Sequence, residues 1–316
     1  MPILAGVPTP PPPPVPSRRP RRPPKRIIWT STTGDVLDLT GGMGYEIMPG
    51  RSGFGLGPRE NVHDPDPDGG AQLRAIVDQV RLMAVPLAVR GSTPEEYLER
   101  RARLHAAMRH RRGGVDVPGT LTVELPDGTR RHILAFYNDG LDGEEDVLDD
   151  VILTYQQYPR FELLAMKPWF TGDETVAQSW TSDAGVPWLG ALPLRLSPAA
   201  VLGEVTVVVP GDADAYPVWT ITGPGAPIAR NLTTGREWVW KPAEPIASGR
   251  TVTIDTRPSE LTVVDDLGND LYTQLEPYPD LWELEPGVNN LQIEITDSTA
   301  GSSAGLHAQV RWQAGW

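Results

Sequence analysis

Proline and glycine interrupt this chain so often that long helices are ruled out along most of it. They supply 34 and 32 of its 316 residues, about one in five. Proline removes a backbone donor and fixes φ, and glycine weakens helix and strand interiors, so the segments between them must be short. Those segments are rich in Val, Ile, Thr and Trp and are bounded by turn residues. That pattern predicts a mainly β protein with one prominent helix.

The densest proline region is the beginning. Residues 1–26 hold eleven prolines, unbroken from Pro10 to Pro14. The stretch reads as an extended polyproline arm, either solvated or held by a neighbouring subunit. It is also basic. Arg18, Arg19, Arg21, Arg22, Lys25 and Arg26 take six of the 28 basic residues and the arm has no acid, leaving 22 basic against 41 acidic residues in the body. An acidic body repels phosphate backbones and argues against general nucleic-acid binding, while the arm suits nucleic acid or an acidic protein surface. No apolar run approaches a membrane span, and no secretory signal is visible. The chain has no cysteine, which removes disulfides, thiolate metal sites and cysteine nucleophiles.

Residues 27–170 read as a first domain. Ile27–Thr30 and Val36–Leu39 are predicted strands, and 41–70 a long loop. Leu73–Val89 reads as a strand or bent pair of strands with Pro86 at an edge or bulge, although Ala71–Met83 also fits helical spacing. Thr93-Pro94-Glu95-Glu96 is a capping box, with Glu96 expected to return to the Thr93 N–H. The helix should run to about Arg112 and stop at Gly113-Gly114, burying Tyr97, Leu98, Ala102, Leu104, His105 and Met108. Pro126-Asp127-Gly128-Thr129 predicts a hairpin between Thr120–Leu125 and Arg131–Tyr137. Val151–Tyr155 and Phe161–Ala165 add strands. Residues 171–190 are polar and turn-rich, a connector.

Residues 191–316 read as a second, all-β domain, a sandwich or barrel. Its strands are predicted at Val201–Val209, Val218–Thr222, Ile228–Leu232, Glu237–Trp240, Thr251–Asp255, Leu261–Asp265, Leu291–Thr296 and Gln309–Trp312.

Motifs for chemistry are lacking. There is no Gly-x4-Gly-Lys-Ser/Thr loop and no Gly-x-Ser-x-Gly elbow. Gly53-Phe-Gly55-Leu-Gly57 has the wrong spacing for a dinucleotide and reads as a flexible loop. His105 and His110 are five apart, not the four that zinc ligation from one helix needs. The acidic stretch Asp139–Asp150 lacks the order of a calcium loop and reads as solvated. No catalytic residue, metal site or cofactor is therefore expected. Eight of ten tryptophans lie from Trp180 onward. Trp180, Trp188, Trp238, Trp240 and Trp282 are conceivable sugar platforms. Trp238 and Trp240 share a strand face and are the carbohydrate-stacking candidates; the competing reading places such rings in a core or subunit interface.

Several runs resemble the distal tail protein family of long-tailed, non-contractile phages, also called minor tail or siphovirus-type tail components. They are Pro86-Leu-Ala-Val-Arg-Gly-Ser-Thr-Pro-Glu-Glu96, Leu121-Thr-Val-Glu-Leu-Pro-Asp-Gly-Thr-Arg130 and Phe161-Glu-Leu-Leu-Ala-Met-Lys-Pro-Trp169 in the first domain. In the second they are Gly211-Asp-Ala-Asp-Ala-Tyr-Pro-Val-Trp-Thr-Ile-Thr-Gly-Pro224, Asn231-Leu-Thr-Thr-Gly235, Thr251-Val-Thr-Ile-Asp-Thr-Arg-Pro258 and Leu281-Trp-Glu-Leu-Glu-Pro-Gly-Val-Asn289. The resemblance implies a non-enzymatic virion component. It implies a β-rich first domain forming a hexameric ring and a galectin-like β-sandwich projecting from it. The implied partners are further copies, the tail tube protein and the baseplate hub, with a host-surface glycan as a further possibility. The implied location is the phage tail tip, assembled in the host cytoplasm.

Overall fold

The computed structural model describes residues 25–142, 154–181 and 200–316. The arm as far as residue 24, the acidic run 143–150, the start of the strand expected at Val151–Tyr155, and Trp188 lie outside the described residues.

The first half runs through Arg26–Thr30 (β1), Val36–Asp38 (β2), Tyr45–Ile47 (β3), Arg59–Pro65 (β4), Ala71–Asp78 (β5), Arg81–Ala84 (β6) and Leu87–Arg90 (β7). The helix Pro94–Ala107 (α1) follows, then Arg111–Arg112 (β8), Val115–Asp116 (β9), Gly119–Glu124 (β10), Arg130–Asp139 (β11), Tyr155–Tyr158 (β12) and Glu162–Ala165 (β13). Phe170–Thr181 (β14) leads into Ala200–Val209 (β15), Pro217–Thr222 (β16), Ala226–Asn231 (β17), Arg236–Val239 (β18), Thr251–Asp255 (β19), Thr262–Asp265 (β20), Gly287–Thr296 (β21) and Ser303–Trp312 (β22).

Among the described residues the fold is mainly β with one α-helix, as expected, but several local expectations fail for definite reasons. Residues 41–70 contain β3 and β4, because Arg59–Pro65 finds a partner in Ala71–Asp78. The strand reading of Leu73–Val89 holds, with three strands rather than a bent pair and Pro86 where the chain leaves β6 for β7; the helical alternative for Ala71–Met83 does not. The helix stops at Ala107, and the Gly113-Gly114 pair instead turns the β8–β9 hairpin, both glycines at positive φ. Tyr97, Leu104 and Met108 are buried as predicted, whereas Leu98, Ala102 and His105 face solvent. Thr93 caps the Glu96 N–H at 3.2 Å, but the Glu96 carboxylate accepts from the Ser92 N–H at 2.6 Å rather than from Thr93.

Two hydrophobic cores form. The first gathers Trp29, Leu37, Tyr45, Phe54, Tyr97, Leu104, Leu121, Phe161 and Phe170 beneath α1 and the strands. The second is enclosed by the strands β14-β22-β16-β19-β20 and a four-stranded sheet β15-β21-β17-β18. All pairings are antiparallel, giving a β-sandwich. Of the expected connector 171–190, residues 182–190 lie outside the described residues. Residues 171–181 are strand, paired with β11 at one end and along β22 for the rest. One sheet therefore passes without a break from the first core to the second.

Candidate assembly surfaces

The first half is organised around β11, which forks. Its beginning pairs with β14 at Arg131 and His132, and its end pairs with β13 at Phe136–Asp139. On the β13 side the sheet reads β2-β1-β10-β11-β13-β6, with β2 and β6 at opposite ends; Ser52 bridges β6 on its outer side at Ala84, which leaves β2 as the more open edge. Edge strands present unpaired backbone groups, a template for another chain.

Beyond β6 the β4–β5 ribbon stands clear of the body. It is a separate two-stranded sheet, with every residue of β5 exposed. Leu73 is 62% exposed, Ile76 54%, Val77 45% and, just past the ribbon, Val80 49%. Its base is closed by Gln79 N–H to Pro58 O at 2.9 Å and by the Arg59–Asp78 ion pair at 3.1 Å. A two-stranded ribbon is marginal in water by itself, and one carrying this many aliphatic side chains into solvent lacks a covering surface. In the sequence the run was ambiguous between strand and helix, and only the exposure identifies it as a contact element.

At the opposite edge, α1 ends beside the β1–β2 turn. Arg103 Nε donates to Asp35 at 2.9 Å, which holds the Asp35 carboxyl below its ordinary range. Thr32 Oγ1 donates to Arg109 O at 3.1 Å, and Arg112 Nη1 donates to Thr32 O at 3.0 Å. The exposed side chains of Arg109, His110 and Arg111 project from this corner.

The end of the chain clasps the two cores together. Arg81 is buried and donates to the carbonyls of Pro168 (2.8 Å), Gly53 (2.7 Å), Gly55 (2.6 Å) and Gln313 (2.6 Å). Burial pushes its pKa down. The Gly53–Gly57 run, read as a flexible loop, is thus the socket of a buried cation. Gly53 has φ +84°, and a Cβ there would lie 2.3 Å from Leu82 O. Arg131 stacks over Trp312 at 3.9 Å and donates to Ala314 O at 2.7 Å. Trp316 stacks on Phe54, with ring centres 5.7 Å apart.

Trp238 and Trp240 are 1% and 2% exposed. They do share a face, but it is the inner one. Trp219 packs edge-on against Trp238 and Trp282, at 5.7 and 5.5 Å, and stacks with Trp180 at 6.0 Å. Rings held this way offer no face to a saccharide, so the carbohydrate-stacking expectation for Trp238 and Trp240 is corrected to a core role.

Among the described residues no group of three or more His, Asp or Glu stands close enough to hold a metal. One hydrogen-bonded side-chain trio does form, unforeseen from spacing. Thr122 Oγ1 lies 2.9 Å from His132 Nδ1, and His132 Nε2 lies 2.6 Å from Asp173 Oδ1. The ring nitrogens are used in the reverse order to a hydrolytic triad. Asp173 sits in the irregular stretch of β14 between Thr171 and Thr175, so the trio pins that bulge to β10 and β11.

No protein-family model and no curated protein matches the chain. Among solved structures it is similar to the SPP1 Dit protein, described as a paradigm of the hub adsorption apparatus in phages infecting Gram-positive bacteria. That match has a TM-score of 0.61 at 13% identity and covers 90% of this chain and 98% of that one. Chains of the phage P2 baseplate, in its activated conformation with Ca or Sr, align at 12% identity with TM-scores of 0.42 and 0.41, covering 90% of this chain and 97% and 98% of those.

Proposed function

We propose that this chain is a structural, non-enzymatic component of a phage tail tip, a ring-forming adaptor between the tail tube and the baseplate hub. It shares its fold over nearly its whole length with SPP1 Dit. The observation that carries the reading is the exposed aliphatic β4–β5 ribbon, which stands beside β6 at one end of the sheet, with the edge strand β2 at the other end. Copies that join head to tail need two different patches, and a closed ring consumes both on every copy. Six copies is the ring size that the family resemblance implies.

The rest of the molecule supports a passive role. The acidic body lets DNA pass a lumen without adhering to it. The sheet shared through β14 and β22 fixes the sandwich rigidly to the first core, which suits a subunit that transmits position. The proline-rich first segment, basic and without an acidic residue, is suited to an acidic surface on a neighbouring tail protein. A sugar-binding role has no exposed tryptophan pair to rest on among the described residues.

The test is a direct image. Purified full-length chain, examined by electron microscopy and by light scattering at rising concentration, should give a closed ring of a single size, expected to be six copies. Antibody labelling should find the chain at the tail tip of virions. A monodisperse monomer at high concentration, together with absence from virions, would refute the reading.

A further inference from the structure

Resting on the head-to-tail reading above, the geometry points to a specific contact: we propose that the β4–β5 ribbon of one copy docks on the Arg-rich corner after α1 of the next. The ribbon combines two features. Its stem carries the exposed Leu73, Ile76 and Val77, and its tip carries Asp64, Asp66 and Asp68 within the run Asp64-Pro65-Asp66-Pro67-Asp68-Gly69-Gly70. Asp66 accepts from the Asp68 N–H at 3.1 Å and from Gln72 Nε2 at 3.0 Å, a turn that fixes the tip while using no cation. Among the described residues none of the three tip carboxylates is in an ion pair.

The corner is the reciprocal surface. Arg109 and Arg111 are exposed and have no ion-pair partner among the described residues, in a body where acidic side chains outnumber basic ones. Arg103 and Arg112 bind the corner to the β1–β2 turn. A cationic patch on so acidic a protein is electrostatically selective for the acidic tip of another copy. Position agrees with charge. The ribbon emerges next to β6 and the corner adjoins β2, the two opposite edges of one sheet. The ribbon and its own corner thus stand at opposite ends of one strand order, and a head-to-tail neighbour brings the two surfaces together. The contact covers the aliphatic stem, which no described part of the same chain does.

The test uses charge exchange in the full chain. Arg109→Glu with Arg111→Glu should weaken self-association at least tenfold, as should Asp64→Arg with Asp68→Arg, which leaves the Asp66 turn intact. All four changes together should restore assembly to near the wild-type level. Each variant sits on exposed side chains, so its melting temperature should match the parent. Because the chain has no cysteine, a second readout is clean. Copies carrying Asp68→Cys mixed with copies carrying Arg111→Cys should cross-link to a covalent dimer under mild oxidation, and neither alone should do so efficiently. Rings that are indifferent to charge reversal, or a fourfold variant no better than the twofold ones, would overturn this contact while leaving the ring intact. Absence of any wild-type oligomer would overturn the ring reading itself.

Discussion

Arg81 shows how one buried residue can organise a region that looks featureless in sequence. A guanidinium taken out of water is costly unless its donors are met. Here four carbonyls from three separate segments meet them, and the Phe170 ring lies 5.1 Å from the guanidinium carbon. Arg81→Met keeps the stem but leaves those carbonyls without a donor. The substitution should cost about 3–5 kcal/mol, since each buried acceptor left unpaired costs about 1–3 kcal/mol and some recover a water. The midpoint of urea unfolding measures it; a shift below about 1 kcal/mol would show that the carbonyls find other partners. Nothing in the local sequence around Arg81 announces this role, because its acceptors lie at positions 53, 55, 168 and 313.

Among the elements, the legible ones are those with local signals. The Pro126–Thr129 turn and the Thr93 cap act through residues within a few positions of each other, so the hairpin and the start of α1 were readable. The end of α1 was not. Arg109–Arg112 continues a helical composition, but Trp29 Nε1 donates to Ala107 O at 2.9 Å and the chain turns away into β8. The β4–β5 ribbon was hidden for the opposite reason. Leu73, Ile76, Val77 and Val80 suggest a buried face, and nothing local says that they face outward. Because every residue of β5 is exposed and the ribbon meets the rest of the described chain at its base, where Arg59 donates to Gln313, excising residues 60–77 with a short Gly-Ser bridge should leave the melting temperature within a few degrees of the parent. It should abolish self-association in light scattering. A cooperative loss of fold on excision would mean the ribbon supports the core.

At the scale of the whole molecule, the clasp decides how the two cores move together. Gln313–Trp316 reaches Arg59, Arg81, Arg131 and Phe54 of the first half, and Gln313 N–H also donates to Asp212 of the second. Truncation after Trp312 should leave the sandwich folded, since β22 remains complete. It should lower the stability of the first core by about 2–3 kcal/mol through lost hydrogen bonds to charged groups and lost ring stacking. Small-angle scattering should then report a broader range of distances, and proteolysis should open near residues 170–175. Unchanged scattering and cleavage would show that β14 alone holds the two halves.

Composition, turn chemistry and strand alternation determined that this chain is built of short strands around one helix, because those signals act over a few neighbouring residues. Inward and outward faces were readable wherever the alternation was clean, as in the shared face of Trp238 and Trp240. Which side of the sheet that face lay on, and therefore whether those rings meet sugar or core, depended on pairings between residues far apart in the chain. The same holds for the continuous sheet through β14 and the Arg81 socket. Each is set by contacts that close only when distant segments fold together, and no window of sequence contains both partners.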